Sequence, residues 1–129
     1  MSGARSRSKG ARGEREALAV LGDELGVARQ RNIEQTRDGG GDCLQIRGYV
    51  LEVKRCETLC IPKWWRQATA QAADKGLEPV LMFRQNRKPW RVLLKALHGP
   101  FREVNVAEFA GEVREKWARL YGVYTAEAA

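Results

Sequence analysis

In YVLEVKR, Tyr49 to Arg55, Glu52 and Lys54 interrupt a run of β-prone apolar residues. Side chains alternate along a strand, so Val50, Glu52 and Lys54 share one face while Tyr49, Leu51, Val53 and Arg55 share the other. The ordinary use of such a pair is a salt bridge on a solvated sheet face; a second carboxylate beside it changes the chemistry. Asp42 opens the preceding apolar segment, DCLQI, directly after three glycines. With the two segments paired as a hairpin, its carboxylate can sit at the sheet edge close to Glu52. Two adjacent carboxylates repel unless a cation joins them. Hard divalent cations such as Mg2+ take oxygen ligands and keep several waters, so Asp42, Glu52 and one backbone carbonyl, that of Val53, make a sufficient site. Lys54 then stands where it can orient or deprotonate an attacking water.

A third acid is available on a helix read over Glu14 to Leu25. At 100° per residue Glu14 falls within the stripe of Leu18, Leu21 and Leu25, and Glu16 points nearly opposite. An acid on a stripe that packs against a sheet is costly unless it faces a polar site; the other reading is a helix start frayed into water. A rival constellation is zinc held by Cys43, Cys56, Cys60 and His98. These ligands lack a knuckle spacing, and Cys43 should point away from its neighbour Asp42, so reduced, unligated thiols are the expectation.

Taken in order, KGARGERE, GGGDC and YVLEVKR resemble the PD-(D/E)xK nuclease superfamily, and within it the archaeal-type Holliday junction resolvases and related phage endonucleases. The resemblance runs from Lys9 to Lys95, more weakly after the third motif. It implies a restriction-endonuclease-like α/β fold, a mixed central sheet flanked by helices. It also implies metal-dependent endonucleolytic hydrolysis of DNA, with Mg2+ as cofactor and Mn2+ as its substitute. The metal ligands would be Glu14, Asp42, Glu52 and Val53, with Lys54 catalytic. A polar residue on the helix after the third motif supports the site in such nucleases, which points to Gln67, with Gln71 one turn on. Branched DNA as substrate, a role in DNA recombination and a homodimer follow from the same resemblance, since junction cleavage needs two sites on two strands. Trp64, Trp65 and Trp117 exceed the needs of a small core and fit a dimer contact. The sequence departs from the family in a long Glu34 to Gly41 loop and in carrying Gly41, rather than proline or a bulky apolar residue, before Asp42. Two other functions compete: a non-catalytic basic protein that binds nucleic acid, and a nicking or degradative nuclease of phage DNA metabolism. The first leaves the three acids without a use; the second keeps the same site.

The elements that must position these residues are legible from period and punctuation. Residues 1–12 hold four basic residues and no acids among Ser, Gly and Ala, the composition of a disordered basic arm. After the first helix, Gly26 is a stop, Val27 to Ile33 a short strand, EQTRDGGG a turn and DCLQI a strand. Arg47 and Gly48 form a two-residue turn into Tyr49 to Arg55. Pro62 opens a helix to Lys75 with Ile61, Trp65, Ala68 and Ala72 on one face, ended by Gly76. Val80 to Arg84 and Trp90 to Ala96 form a hairpin through QNRKP. Asn105 caps a last helix, Val106 to Tyr121, with Glu108 completing a capping box and Phe109, Val113, Trp117 and Leu120 facing inward. The order is α-β-β-β-α-β-β-α, one nuclease domain over residues 13–122, with 123–129 a flexible tail.

Composition sets the partner class. The 129-residue chain carries a net charge of +7 with 43% hydrophobic residues, a folded protein attracted to polyanions. Arg84 to Lys95 holds five basic residues and no acid. Candidate phosphate contacts are Arg5, Arg7, Lys9 and Arg12 of the arm, Arg15 and Arg55 beside the acids, and Arg87 and Lys88 in the QNRKP turn. No run approaches the roughly 20 apolar residues that span a membrane, and no secretory apolar region follows the N-terminal basic residues. The expected setting is the cytoplasm of a bacterial or phage-infected cell, with neither a membrane partner nor an organic cofactor.

Overall fold

The structure is a computed structural model that describes residues 2–26, 33–38 and 41–122, with side chains described for 12–26 and 46–122. Among the described residues, three helices and six strands follow one another as α1 (Ser2–Leu25), β1 (Ile33–Asp38), β2 (Gly41–Ile46), β3 (Tyr49–Arg55), α2 (Ile61–Lys75), β4 (Glu78–Arg84), β5 (Arg91–Leu94), β6 (Arg102–Val104) and α3 (Val106–Tyr121). The strands form a single sheet in chain order, β1 to β6. Every neighbouring pair is antiparallel except β3 and β4. A parallel pair cannot be joined by a tight turn, and that is where α2 crosses over. Pro79 lies inside β4, yet the ladder to β5 begins one residue later at Val80, so its missing N–H leaves no gap there.

Alternation along the strands divides the core into two layers. Tyr49, Leu51, Val80, Met82, Val92 and Leu94 pack on Ala17, Leu21 and Leu25 of α1 and on Phe109, Val113 and Trp117 of α3. On the other face Leu81, Phe83 and Leu93 meet Trp64, Trp65 and Ala68 of α2, and Val50 meets Ala72. Tyr49 and Phe109 stack edge-to-face with ring centroids 5.5 Å apart. At the β2–β3 turn Gly48 takes φ +92°, and Trp117 Nε1 donates to the Arg47 carbonyl at 2.8 Å, tying α3 to the hairpin. Asn105 and Glu108 form the expected capping box, and α3 keeps its expected bounds.

Several expectations are corrected. Residues 2–10, read as part of a disordered arm, are helical: α1 starts at Ser2, because Ala, Arg and Lys propagate a helix already anchored by its buried C-terminal half. A strand at Val27 to Ile33 lies mostly outside the described residues. The described strand begins at Ile33 and occupies what read as a loop; ladder hydrogen bonds to β2 override the weak β-propensity of EQTRD. β5 is shorter than Trp90 to Ala96, and β6 is an additional edge strand. Leu120, assigned to the inner face of α3, is 54% exposed. Trp64, Trp65 and Trp117 are buried within the chain, so they are core residues and offer nothing to a dimer contact.

Candidate active site

Glu52 and Lys54 stand on the α2 face of β3, side by side with Leu81 and Phe83 of β4 in the parallel register. Lys54 Nζ is 3.5 Å from Glu52 Oε1, and the Glu52 side chain is only 11% exposed. The second carboxylate oxygen, Oε2, is buried with no hydrogen-bond partner among the described residues. Burial pushes the Glu52 carboxyl above its usual range, opposed by the charge and hydrogen bond of Lys54. A desolvated carboxylate with one oxygen unanswered is costly by itself and suited to receive a cation or a proton.

The other acids come to the same end of the sheet. The β2–β3 ladder ends at Leu44 opposite Leu51, and Asp42 and Glu52 follow just beyond it on their strands. Asp42 sits on β2 opposite Arg37 of β1; its side chain, like that of Cys43, is outside the description. Val53 pairs with Met82 in β4 and is half-buried. On α1, a methyl group at Gly13 would come within 3.2 Å of Arg55 Cβ, so the helix crosses closely over the C-terminal end of β3. Glu14, the next residue, is half-buried there.

Gln67 is exposed, whereas Gln71 is half-buried and its Oε1 has no hydrogen-bond partner among the described residues. Trp65 leans toward the far edge, its ring 5.6 Å from that of Phe101. Counting 100° per residue puts Gln71 near Trp64 on the opposite flank of α2, toward β3. Of the two glutamines expected at the border of the buried face, Gln71 lies there and Gln67 does not.

The structure also gathers residues that the sequence had not joined. Glu16, expected to point away, accepts from Arg55 Nη1 at 3.0 Å and lies 3.4 Å from Arg84 Nη1. Long side chains on both partners reach across the flank of the helix, an event that a wheel of Cα positions does not register. Arg55 also donates to Asn86 Oδ1 at 3.3 Å, so it is engaged rather than projecting free. Arg12, Arg15, Arg87 and Lys88 are exposed. The β4–β5 turn that carries Arg87 and Lys88 follows Arg84, the register partner of Arg55, and so lies at the site end of the sheet. The side chains of Arg5, Arg7 and Lys9 are outside the description. Cys56 is half-buried, Cys60 and His98 are exposed, and no group of three metal-ligating His, Cys, Asp or Glu side chains occurs among the described residues.

A family model described as phage putative PDDEXK endonuclease matches residues 5–124. The chain belongs to this family. As a PDDEXK endonuclease it acts on DNA. No curated protein matches the chain. Among solved structures it is similar to Hjc of Archaeoglobus fulgidus, a Holliday junction resolvase from an archaeal hyperthermophile, at 21% identity and a TM-score of 0.49, covering 80% of this PDDEXK endonuclease and 96% of Hjc.

Proposed function

We infer that this endonuclease hydrolyses phosphodiester bonds with a divalent cation, Mg2+ or Mn2+ in its place, held by Glu14, Asp42, Glu52 and the Val53 carbonyl. The observation that carries the reading is Glu52 Oε2, buried beside Lys54 and unpartnered among the described residues. That donor set is all oxygen, as a hard cation requires. When bound, the cation activates water and neutralises charge developing on the phosphate. Lys54 orients the attacking water and donates toward the charge on the phosphoryl oxygens. Gln71, half-buried on α2, helps hold the carboxylates in place through the donors of its amide Nε2.

The motif order KGARGERE, GGGDC, YVLEVKR favours branched DNA as substrate, a homodimer as the working form and the cytoplasm of a bacterial or phage-infected cell as the setting. The family description favours a second substrate reading on the same site, a nicking or degradative nuclease of phage DNA metabolism. A purely binding role explains the charge of +7 but leaves the desolvated Glu52 carboxylate without a use. The test is cleavage of a synthetic four-way junction beside matched linear duplex, with and without Mg2+, by wild type and Glu52→Gln. Mg2+-dependent cutting of the junction that the variant lacks is expected. Cutting that survives EDTA or the substitution would overturn the metal reading, and equal cutting of both DNAs would favour the degradative one.

A further inference from the structure

We propose that Arg55 and Arg84 form a DNA-phosphate subsite on the α1 side of the sheet, held ready by Glu16 as an internal stand-in for the phosphate. The inference rests on DNA being the substrate and adds a binding site that the cleavage chemistry does not require. Arg55 and Arg84 are direct register partners in the parallel β3–β4 ladder. Two like charges at that spacing repel unless an anion lies between them. Glu16 supplies it, one carboxylate oxygen to each guanidinium, at 3.0 and 3.4 Å.

The arrangement is incomplete in the way an anion site without its anion is incomplete. Two guanidinium groups against one carboxylate leave a net charge of +1. Arg55 Nε is buried and has no hydrogen-bond partner among the described residues. A phosphodiester brings more acceptor positions than a carboxylate already divided between two partners, and guanidinium forks match its geometry. The group remains reachable, with 18%, 23% and 32% of the Arg55, Arg84 and Glu16 side chains exposed. Asn86 holds Arg55 from the other side, and its own backbone N–H donates to Glu57 Oε2 at 2.6 Å, which fixes the turn that presents Arg87 and Lys88. By strand alternation Arg55 lies on the face opposite Lys54. The subsite therefore engages the DNA backbone beside the scissile position, and removing Glu16 should raise its affinity for phosphate rather than abolish it.

Equilibrium binding of labelled duplex and four-way junction in EDTA, between about 50 and 200 mM salt, tests this. Glu16→Gln should tighten binding several-fold at low salt and steepen the log–log salt slope by about 0.9, the value for one more neutralised phosphate. Arg84→Gln should make the slope shallower by a similar amount, and the double variant Glu16→Gln/Arg84→Gln should lose the gain. A folded Glu16→Gln protein with unchanged or weaker binding overturns the proposal and leaves Glu16 a structural bridge. Should Glu16→Gln fail to fold, Arg84→Lys decides: charge kept and fork removed, it should weaken binding with the slope unchanged, and unaltered affinity overturns the proposal. Wild-type cleavage of the same DNAs in Mg2+ separates the two readings. Cleavage with unmoved slopes sinks the subsite alone, and the expected slopes without cleavage sink the metal-dependent cleavage reading alone.

Discussion

Glu52 is where the proposed function and stability oppose each other. Its carboxyl is raised by burial, so the folded protein binds that proton more tightly than the unfolded chain does. Stability then falls as pH rises from the unfolded value through the raised folded one and is level above it. Glu52→Gln removes the desolvated charge. In EDTA at neutral pH the variant should melt a few degrees above wild type, a gain on the order of 1 kcal/mol that disappears below the unfolded carboxyl pKa. Adding Mg2+ should raise the melting temperature of wild type and not of the variant. Equal melting of the two proteins in EDTA would show that the orphaned oxygen costs nothing. Gln71→Ala should lower single-turnover cleavage about tenfold, a loss of roughly 1.4 kcal/mol in transition-state stabilisation, whereas Gln67→Ala should cut like wild type. The reverse order would reinstate the exposed glutamine.

Among the elements, α3 governs the hairpin that carries the acids without touching the site. Trp117 is fully buried and donates to the Arg47 carbonyl in the β2–β3 turn. Lys116 reinforces the same corner, donating to the Gly48 carbonyl at 3.2 Å and pairing with Glu78. Trp117→Phe leaves a small cavity and a carbonyl without its donor, a loss of about 2 kcal/mol in urea unfolding. Amide exchange should rise first in β2 and β3, and a uniform rise across α2 as well would argue against a local role. Asn105→Ala removes the side-chain acceptor of the Glu108 N–H, about 1 kcal/mol, and should leave the cleavage rate unchanged because this cap follows the edge strand β6. A rate loss in that folded variant would mean that the N-terminus of α3 communicates with the site.

For the whole molecule, the prediction concerns assembly. Junction cleavage on two strands requires two sites, so light scattering at working concentration should give twice the chain mass of 14.5 kDa. A strict monomer that still cuts junctions would overturn the homodimer. The tryptophans that suggested a dimer are consumed by the two core layers, and among the described residues Leu97 and Leu120 are the large apolar side chains left exposed.

What the sequence determined by itself is what local periodicity and residue chemistry can carry: the helix at Val106 to Tyr121 with its cap, the crossover helix from Ile61, the Arg47–Gly48 turn, and the pairing of Glu52 with Lys54 on one face of a strand. The family motif is a matter of residue type and order, and it was legible for the same reason. Tertiary structure alone decided what depends on distant partners. EQTRD is a strand because β2 pairs with it, and the N-terminal arm is helical because a buried half anchors it. Gln71 rather than Gln67 lies at the buried border because Trp65 sets the roll of α2. Glu16 joins Arg55 and Arg84, 39 and 68 residues away, because long side chains meet across packed elements. Periodicity assigns a residue to a face, but only packing chooses which atoms meet there and which are left without a partner.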